Sequence, residues 1–312
     1  MRTLTLALLT TLALGAGSTA GAADLDYGVL RGPDYEPAAP IIDWNGVYVG
    51  GHGGYTSAAL QQKNVFQDIL ALQFRARDIE SQFSASNLLA IPSTRIEGTS
   101  YGAFAGFNYQ FDEAVVGIEA DYTRFNRTGV ASNGIGRIMM TSGGIAETVN
   151  LFGESTTKIE DYGTIRARGG WSFGSFLPFV TGGVAIGRAI VTDQVLVQNY
   201  GYDARTYAAN QALTAGAPAY VSRHDYLSFN PAYPGVQSSP NGALQTVPAA
   251  PVAISKGPTE KIVGGIALGA GMEYALTQNI LLRAEYQYVL FNDFDGHKVN
   301  LNTVRGGAAV KF

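Results

Sequence analysis

Nine charged side chains occur in segments where polar and apolar residues alternate, a pattern that could support ion pairing or ion conduction. They are Glu119, Asp121, Arg166, Arg168, Glu273, Arg283, Glu285, Arg305 and Lys311. Several are two residues apart, the spacing that places side chains on one face of a β-strand. We predict that they form a paired ionic core in a narrow interior, because unpaired buried charges are costly. The alternative is an ion-conducting lumen gated by the same groups.

No spacing in the sequence indicates a metal site or an enzyme active site. Of the three histidines, His52 is expected inside the fold, and His224 and His297 in separate, solvated loops. The run Ser222–Asp225 contains a possible nucleophile and base, but adjacent residues cannot form a catalytic triad with one another. Cysteine is absent, which excludes disulfides and thiolate metal ligands. We therefore predict no catalytic residue, no cofactor and no metal.

Eight segments with apolar residues at every second position predict eight β-strands that must position the charged residues. These segments are Gly46–Ala59, Arg95–Phe111, Ala114–Phe125, Lys158–Phe173, Leu177–Val191, Glu260–Leu276, Ile280–Phe291 and Val299–Phe312. In the seventh segment, Leu282 and Ala284 alternate with Arg283 and Glu285. Beyond the N-terminal region no run of 18 or more apolar residues occurs, so a helical membrane protein is excluded.

The connections between the predicted strands alternate in length. Tight turns are expected at Asp112–Glu113, 174–176 and 277–279, and long or moderate connections at Leu60–Thr94, Asn126–Thr157, Thr192–Thr259 and Asn292–Lys298. Short turns on one side and long loops on the other are typical of outer-membrane barrels. The sequence therefore predicts an all-β fold, an eight-stranded antiparallel transmembrane β-barrel with long extracellular loops.

The composition and the N-terminus agree with export to a membrane. Arg2 and the short apolar stretch after it predict a signal peptide over residues 1–22. A proline-containing periplasmic linker is expected over 23–43, and the barrel over 44–312. Only 15% of the residues are charged, against about 25% in soluble domains. The net charge of −4 gives no indication of a nucleic-acid partner.

The alternation has two possible interpretations. Apolar residues can face lipid around a charged lumen, as in an outer-membrane barrel. They can also line the lumen of a water-soluble, lipocalin-like barrel whose charged residues face water. The signal peptide, the alternating connections and the terminal Phe312 favour the first interpretation.

Two segments carry a family resemblance. The run Asp43–Gly51, followed by Gly54 and Tyr55, resembles the opening of the small outer-membrane barrel (porin-family) proteins of alphaproteobacteria. These include major outer-membrane proteins of rhizobia and brucellae and haemin-binding proteins of bartonellae. The ending Asn302–Gly306 and Val310–Phe312 is similar to their last strand. The resemblance implies that Phe312 is the signal to the barrel-assembly machinery, and that the partners are outer-membrane lipid and lipopolysaccharide.

The loops leave the function open. In the first long loop, Val65, Ile69, Leu72, Ala76, Ile79 and Phe83 have a helical spacing, which predicts a lid helix over the barrel mouth, with extended strand as the alternative. The third long loop is rich in tyrosine. We expect a structural outer-membrane barrel of a Gram-negative bacterium that displays surface loops. A small-solute porin and a surface protein that binds haem, through His224, or a host ligand are the alternatives, and an enzyme is not expected.

Overall fold

Eight long strands form a closed antiparallel ring. The structure, a computed structural model, describes residues 42–231 and 246–312. The ring strands, numbered β1–β8 here, are β1 (Gly46–Gln61), β2 (Thr94–Phe111), β3 (Ala114–Met140), β4 (Ile145–Trp171), β5 (Phe176–Asp203), β6 (Val252–Ala275), β7 (Ile280–Phe291) and β8 (Lys298–Lys311). Each strand pairs with its neighbours in the chain, and β1 also pairs with β8. The prediction of an eight-stranded barrel is confirmed.

The two faces of the ring have opposite chemistry. Charged residues of β4 and β7, such as Arg166 and Glu285, are buried inside the ring, whereas their apolar neighbours Ile165 and Tyr286 are exposed on its outside. This is the polarity expected of a barrel surrounded by lipid. Every backbone group in the hydrocarbon region must be paired within the protein, and closure of the ring meets that requirement. Among the described residues, no helix has the length and apolar character needed to span a bilayer.

Exposed aromatic residues mark the two edges of the apolar outer surface. On β2, Tyr101 and Phe111 are both exposed and are ten residues apart. At a rise of about 3.4 Å per residue and a tilt of about 40°, they lie about 25 Å apart along the barrel axis. That height equals the apolar band of outer-membrane barrels, which is flanked by aromatic girdles. Tyr122 lies near Tyr101, and Trp171 lies near Phe111 through the pairing of β2, β3 and β4.

Four strands continue far beyond the apolar band. The prediction that Asn126–Thr157 is a loop is wrong, because most of it is a hairpin of β3 and β4 with its turn at residues 141–144. The predicted loop Thr192–Thr259 is also partly strand, since β5 runs to Asp203 and β6 begins at Val252. These extensions form a sheet outside the membrane. The register shift between Ile159 and Asp161 moves the inward-facing positions of β4 by one residue, from odd to even numbers. The shift between Arg124 and Arg127 interrupts the alternation of β3, so the strand pattern is not continuous in the sequence.

The first connection contains two short helices instead of one lid helix. Helix α1 (Gln67–Gln73) and helix α2 (Asp78–Phe83) are separated at Ala76, which has a positive φ of 62°. A 3₁₀ turn follows at Ala85–Asn87. A third helix, α3 (Ala204–Gln211), lies in the third long connection, which joins β5 to β6. The buried apolar face differs from the predicted one, because Leu72 is 70% exposed.

This helical segment packs against the inner face of the strand extensions. Phe66, Leu70, Phe74 and Ile79 share a buried cluster with residues of β3, β4 and β5, including Ala131, Val149, Leu151, Val195 and Val197. The part of the chain outside the apolar band therefore has a hydrophobic core of its own. The predicted signal peptide, residues 1–22, and the predicted linker up to residue 41 lie outside the described residues.

Candidate functional site

The lumen contains a charge-balanced ionic cluster, formed by four arginines and four carboxylates. Its members are Arg166, Arg168, Arg283, Arg305, Glu119, Asp121, Glu273 and Glu285. They come from β3, β4, β6, β7 and β8. Every one of these side chains is at most 2% exposed. Equal numbers of the two signs leave no net charge in this layer, which a buried cluster requires if it is not to be strongly destabilising.

Arg166 lies at the centre of one half of the ionic cluster. One of its terminal nitrogens is 2.6 Å from Glu119 Oε1 and 2.8 Å from Asp121 Oδ2, and the other is 2.5 Å from Glu285 Oε1. Arg305 contacts two of the same carboxylates, at 3.1 Å from Asp121 and 2.9 Å from Glu285. Each guanidinium thus links carboxylates from different strands, and the contacts cross the lumen.

The other half of the ionic cluster is centred on Glu273. Arg168 contacts Glu273 with both terminal nitrogens, and Arg283 lies 2.6 Å from both Glu273 and Glu119. Aromatic rings cover the guanidinium planes, with Arg283 4.1 Å from the ring centre of Phe104 and Arg168 4.0 Å from that of Phe179. Ring faces attract such cations, most strongly where water is excluded.

Lys311 and Phe312 lie apart from the ionic cluster. The Lys311 ammonium donates a hydrogen bond to the backbone carbonyl of Asp43, and no described carboxylate lies within ion-pair distance of it. Lys311 is the last residue of β8, close to the end of the lumen where the chain enters the barrel. The prediction that it belongs to the lumen network is therefore wrong. Phe312 is exposed, and its backbone N–H donates to Val47 O over 2.9 Å.

Apolar layers enclose the ionic cluster above and below. On the periplasmic side, Trp44, Leu177 and Leu281 belong to one buried apolar cluster. On the extracellular side, Tyr162 and Phe291 belong to a second one. Buried side chains thus fill the interior at successive levels, as an eight-stranded barrel is expected to do.

His52 and His297 are both buried. His52 lies in the lumen as predicted, with its ring 6.2 Å from the ring of Phe104. The prediction that His297 is solvated is wrong, because it is fully buried and its ring contacts residues of β4 and β5. It shares a hydrogen bond of 2.9 Å with Thr157 and lies 3.3 Å from Asp193.

His224 forms a polar cluster at the extracellular end. The short strand Arg223–His224 pairs with the end of β5, which brings the His224 Nε2 atom to 2.9 Å from Glu147. The Nδ1 atom lies 2.8 Å from Asp225, which also contacts Arg77 from the first connection at 3.1 Å. Neither ring nitrogen is therefore free to bind iron in this arrangement. Within the described residues, no group of three or more potential ligands could hold a metal ion. The cluster instead holds the β1–β2 connection and the β5–β6 connection against β4.

The His224 cluster predicts that the attachment of the β5–β6 connection to β4 depends on pH. The hydrogen bond to Glu147 raises the pKa of His224, against the effect of partial burial, and the bond to Asp225 raises it further. The contribution to stability is therefore complete below the ordinary histidine pKa of about 6.5 and is lost as the pH rises through the raised value. Because the chain has no cysteine, Leu227→Cys gives a unique site for a spin label. We expect the label to become more mobile between pH 5 and pH 9. In His224→Gln its mobility should not change with pH, and an equal change there would contradict the assignment.

The sequence did not predict several residues at the extracellular end of the barrel. Arg124 and Arg127 line a hollow on the outer wall, and Glu147 is the partner of His224. A break in the alternation at Arg124–Arg127 was the only signal in the sequence for that hollow. The predicted tyrosine-rich loop forms a ring cluster in which Tyr226 contacts Tyr200 and Phe229 edge-on. Tyr233 lies outside the described residues.

Comparison with known proteins agrees with the geometry of the ring. Residues 9–312 match the model of the family described as outer membrane protein beta-barrel domain. The chain belongs to this family. It is therefore an integral protein of the outer membrane of a Gram-negative bacterium, as the polarity of its two faces requires.

The chain is similar to two curated outer-membrane proteins and, at lower identity, to solved structures. The chain is 28% identical to the 31 kDa outer-membrane immunogenic proteins of Brucella melitensis biotype 1 and Brucella suis biovar 1, over 98% of each chain. Among solved structures, Ail of Yersinia pestis matches with a TM-score of 0.30 and 10% identity, covering 86% of this chain and 99% of Ail. Neisserial surface protein A matches with a TM-score of 0.30 and 13% identity, covering 86% and 98%.

Proposed function

We propose that this family member is a non-conducting structural barrel that holds a rigid platform above the outer membrane. The observation that carries the proposal is the ionic cluster, whose eight side chains are at most 2% exposed. A conducting pore needs a continuous water-filled path, and side chains fill the interior of a barrel this narrow. No catalytic role is included in the proposal.

The strand extensions support the display part of the proposal. Exposed loops are usually mobile because they bury little apolar surface. Here β3, β4 and β5 continue beyond the apolar band and bury Phe66 and Leu70 of the first connection. Because these extensions have a hydrophobic core of their own, they present a fixed surface to the outside. The name of the Brucella relatives describes them as immunogenic, which fits a surface that other molecules can reach.

A conductance experiment tests whether the barrel is closed. We expect no stepwise current when the full protein is inserted in planar bilayers, because ion pairs and apolar layers occupy the lumen. A variant that removes a bulky residue above the ionic cluster, Phe291→Ala, should also be silent, since the ionic layer remains. Insertion is checked by protection of the strands from added protease. Regular, voltage-independent current steps from the unmodified protein would refute the proposal and favour the porin alternative.

A further inference from the structure

The outer wall of the barrel has a polar hollow between β2 and β3. Six residues line it: Thr99, Tyr101, Arg124, Phe125, Asn126 and Arg127, and its volume is 270 Å³. The pairing of β2 with β3 ends at the pair Tyr101 and Arg124, so the wall loses its ladder of hydrogen bonds at this point. The hollow therefore results from the way in which β2 and β3 separate.

A β-bulge directs two arginines into the same hollow. In a regular strand, residues three positions apart face opposite sides of the sheet. The register shift between Arg124 and Arg127 removes that constraint, and Asn126 has a positive φ of 47° at the shift. Both guanidinium groups consequently border one space. Gly98 leaves room for Arg127, because a side chain there would overlap the guanidinium group.

Both arginines lack a close ion-pair partner within the described part of the chain. Among the described residues, neither Arg124 nor Arg127 has a hydrogen-bond partner or a carboxylate within 4.0 Å; Asp161 lies opposite Arg124 on β4, but its close contacts are with Arg188. The nearby carboxylates are already engaged: Asp161 contacts Arg188 and Tyr122, and Glu97 accepts a hydrogen bond from Tyr55. Two cations that border one space and have no close carboxylate repel each other, so an anion between them would be favoured.

The height of the hollow indicates where such an anion would come from. Tyr122 belongs to the outer aromatic girdle, and Arg124 follows it by two residues on the same face of β3. The hollow thus begins where the apolar band ends, at the level of the lipid headgroups. In the outer leaflet of this membrane, the lipid is lipopolysaccharide, whose lipid A sugars carry phosphate groups.

We propose that this hollow binds a phosphate group of lipid A, with Arg124 and Arg127 as the ligands. Guanidinium groups match phosphate oxygens with two parallel hydrogen bonds each, which makes arginine well suited to this contact. Tyr101 borders the site on its membrane side, where an aromatic ring with a hydroxyl is favourable. The proposal is independent of whether the lumen conducts.

Binding of lipid A to the full protein in detergent micelles tests the proposal. We compare the unmodified protein with Arg124→Gln/Arg127→Gln by native mass spectrometry and titration with bisphosphorylated lipid A. The dissociation constant should rise by about tenfold or more when both charge-assisted contacts are lost. The matched control is Arg95→Gln/Arg137→Gln, which removes the same charge from exposed positions on β2 and β3. Its affinity should stay within about twofold of the unmodified protein, since it lacks the proposed contacts.

Three further arms identify the ligand. Lipid A without phosphates should bind the unmodified protein as weakly as bisphosphorylated lipid A binds the Arg124→Gln/Arg127→Gln variant. Inorganic phosphate, which represents a site for free anions, should not displace lipid A. Phosphatidylglycerol, which represents a site for any anionic lipid, should bind less tightly than lipid A. Competition by free phosphate, equal binding of phosphatidylglycerol, or equal losses in the two double variants would each overturn the proposal. Since both arginines are exposed, all variants should retain the heat-dependent shift of a folded barrel on gels.

Discussion

Replacing Arg166 with methionine should lower the free energy of unfolding by about 3–5 kcal/mol, the largest loss expected from any single change in the lumen. The substitution keeps much of the side-chain volume but removes a cation that contacts Glu119, Asp121 and Glu285. Three carboxylates then lose a buried partner, and the layer has a net negative charge. The measurement is urea unfolding in lipid vesicles, followed by the fluorescence of Trp44 and Trp171.

Two controls separate the effect of burying the arginine from the effect of the net charge that its loss leaves in the lumen. Arg188→Met removes an arginine that is paired with Asp161 but 49% exposed, and it should cost about 1 kcal/mol or less. Arg166→Met combined with Glu285→Gln restores electrical neutrality, so the loss should be smaller than the sum of the two single losses. If Arg166→Met unfolds at the same urea concentration as the unmodified protein, the ionic cluster does not stabilise the barrel.

The ring and its polarity could be predicted because one simple physical rule governs them. In the membrane band, side chains alternate between lipid and lumen, and β7 shows this alternation without interruption from Leu281 to Phe291. The same rule predicted which charged residues face inward, although it could not predict their partners. Partner choice depends on how the strands are staggered around the ring, which brings Arg166 on β4 to Glu285 on β7.

The extracellular part could not be predicted in the same way, for two reasons. First, the bulge at Ile159–Asp161 shifts the inward-facing positions of β4 by one residue, and the bulge at Arg124–Arg127 interrupts the alternation of β3, so a continuous strand resembles a loop in the sequence. Second, both faces of the extensions meet protein or water instead of lipid, so the strict alternation is not required there. The prediction for Lys311 was wrong for a related reason. Its position in the alternation of β8 directs it inward, but it is the last residue of the strand and lies beyond the ionic cluster.

The polarity of the wall predicts a large effect at one height and almost none at another for the same substitution in one strand. Ile118 and Ile138 both lie on β3 and are 57% and 76% exposed. Ile118 pairs with Phe107 near the middle of the apolar band, whereas Ile138 lies on the extension. An arginine at the bilayer midplane costs about 2–4 kcal/mol on the lipid face of a barrel, and one in water costs close to nothing.

We therefore expect Ile118→Arg to lower the free energy of unfolding in vesicles by about 2–4 kcal/mol, and Ile138→Arg by less than about 0.5 kcal/mol. The two variants introduce the same side chain into the same strand, so their difference measures the lipid environment and not the intrinsic preference of arginine for a strand. Repeating the pair in detergents with short chains should shrink the difference, because a thin apolar layer lets the arginine reach water. Equal, small losses for both variants in vesicles would mean that this face of β3 does not contact hydrocarbon, which would contradict the orientation of every strand in the ring.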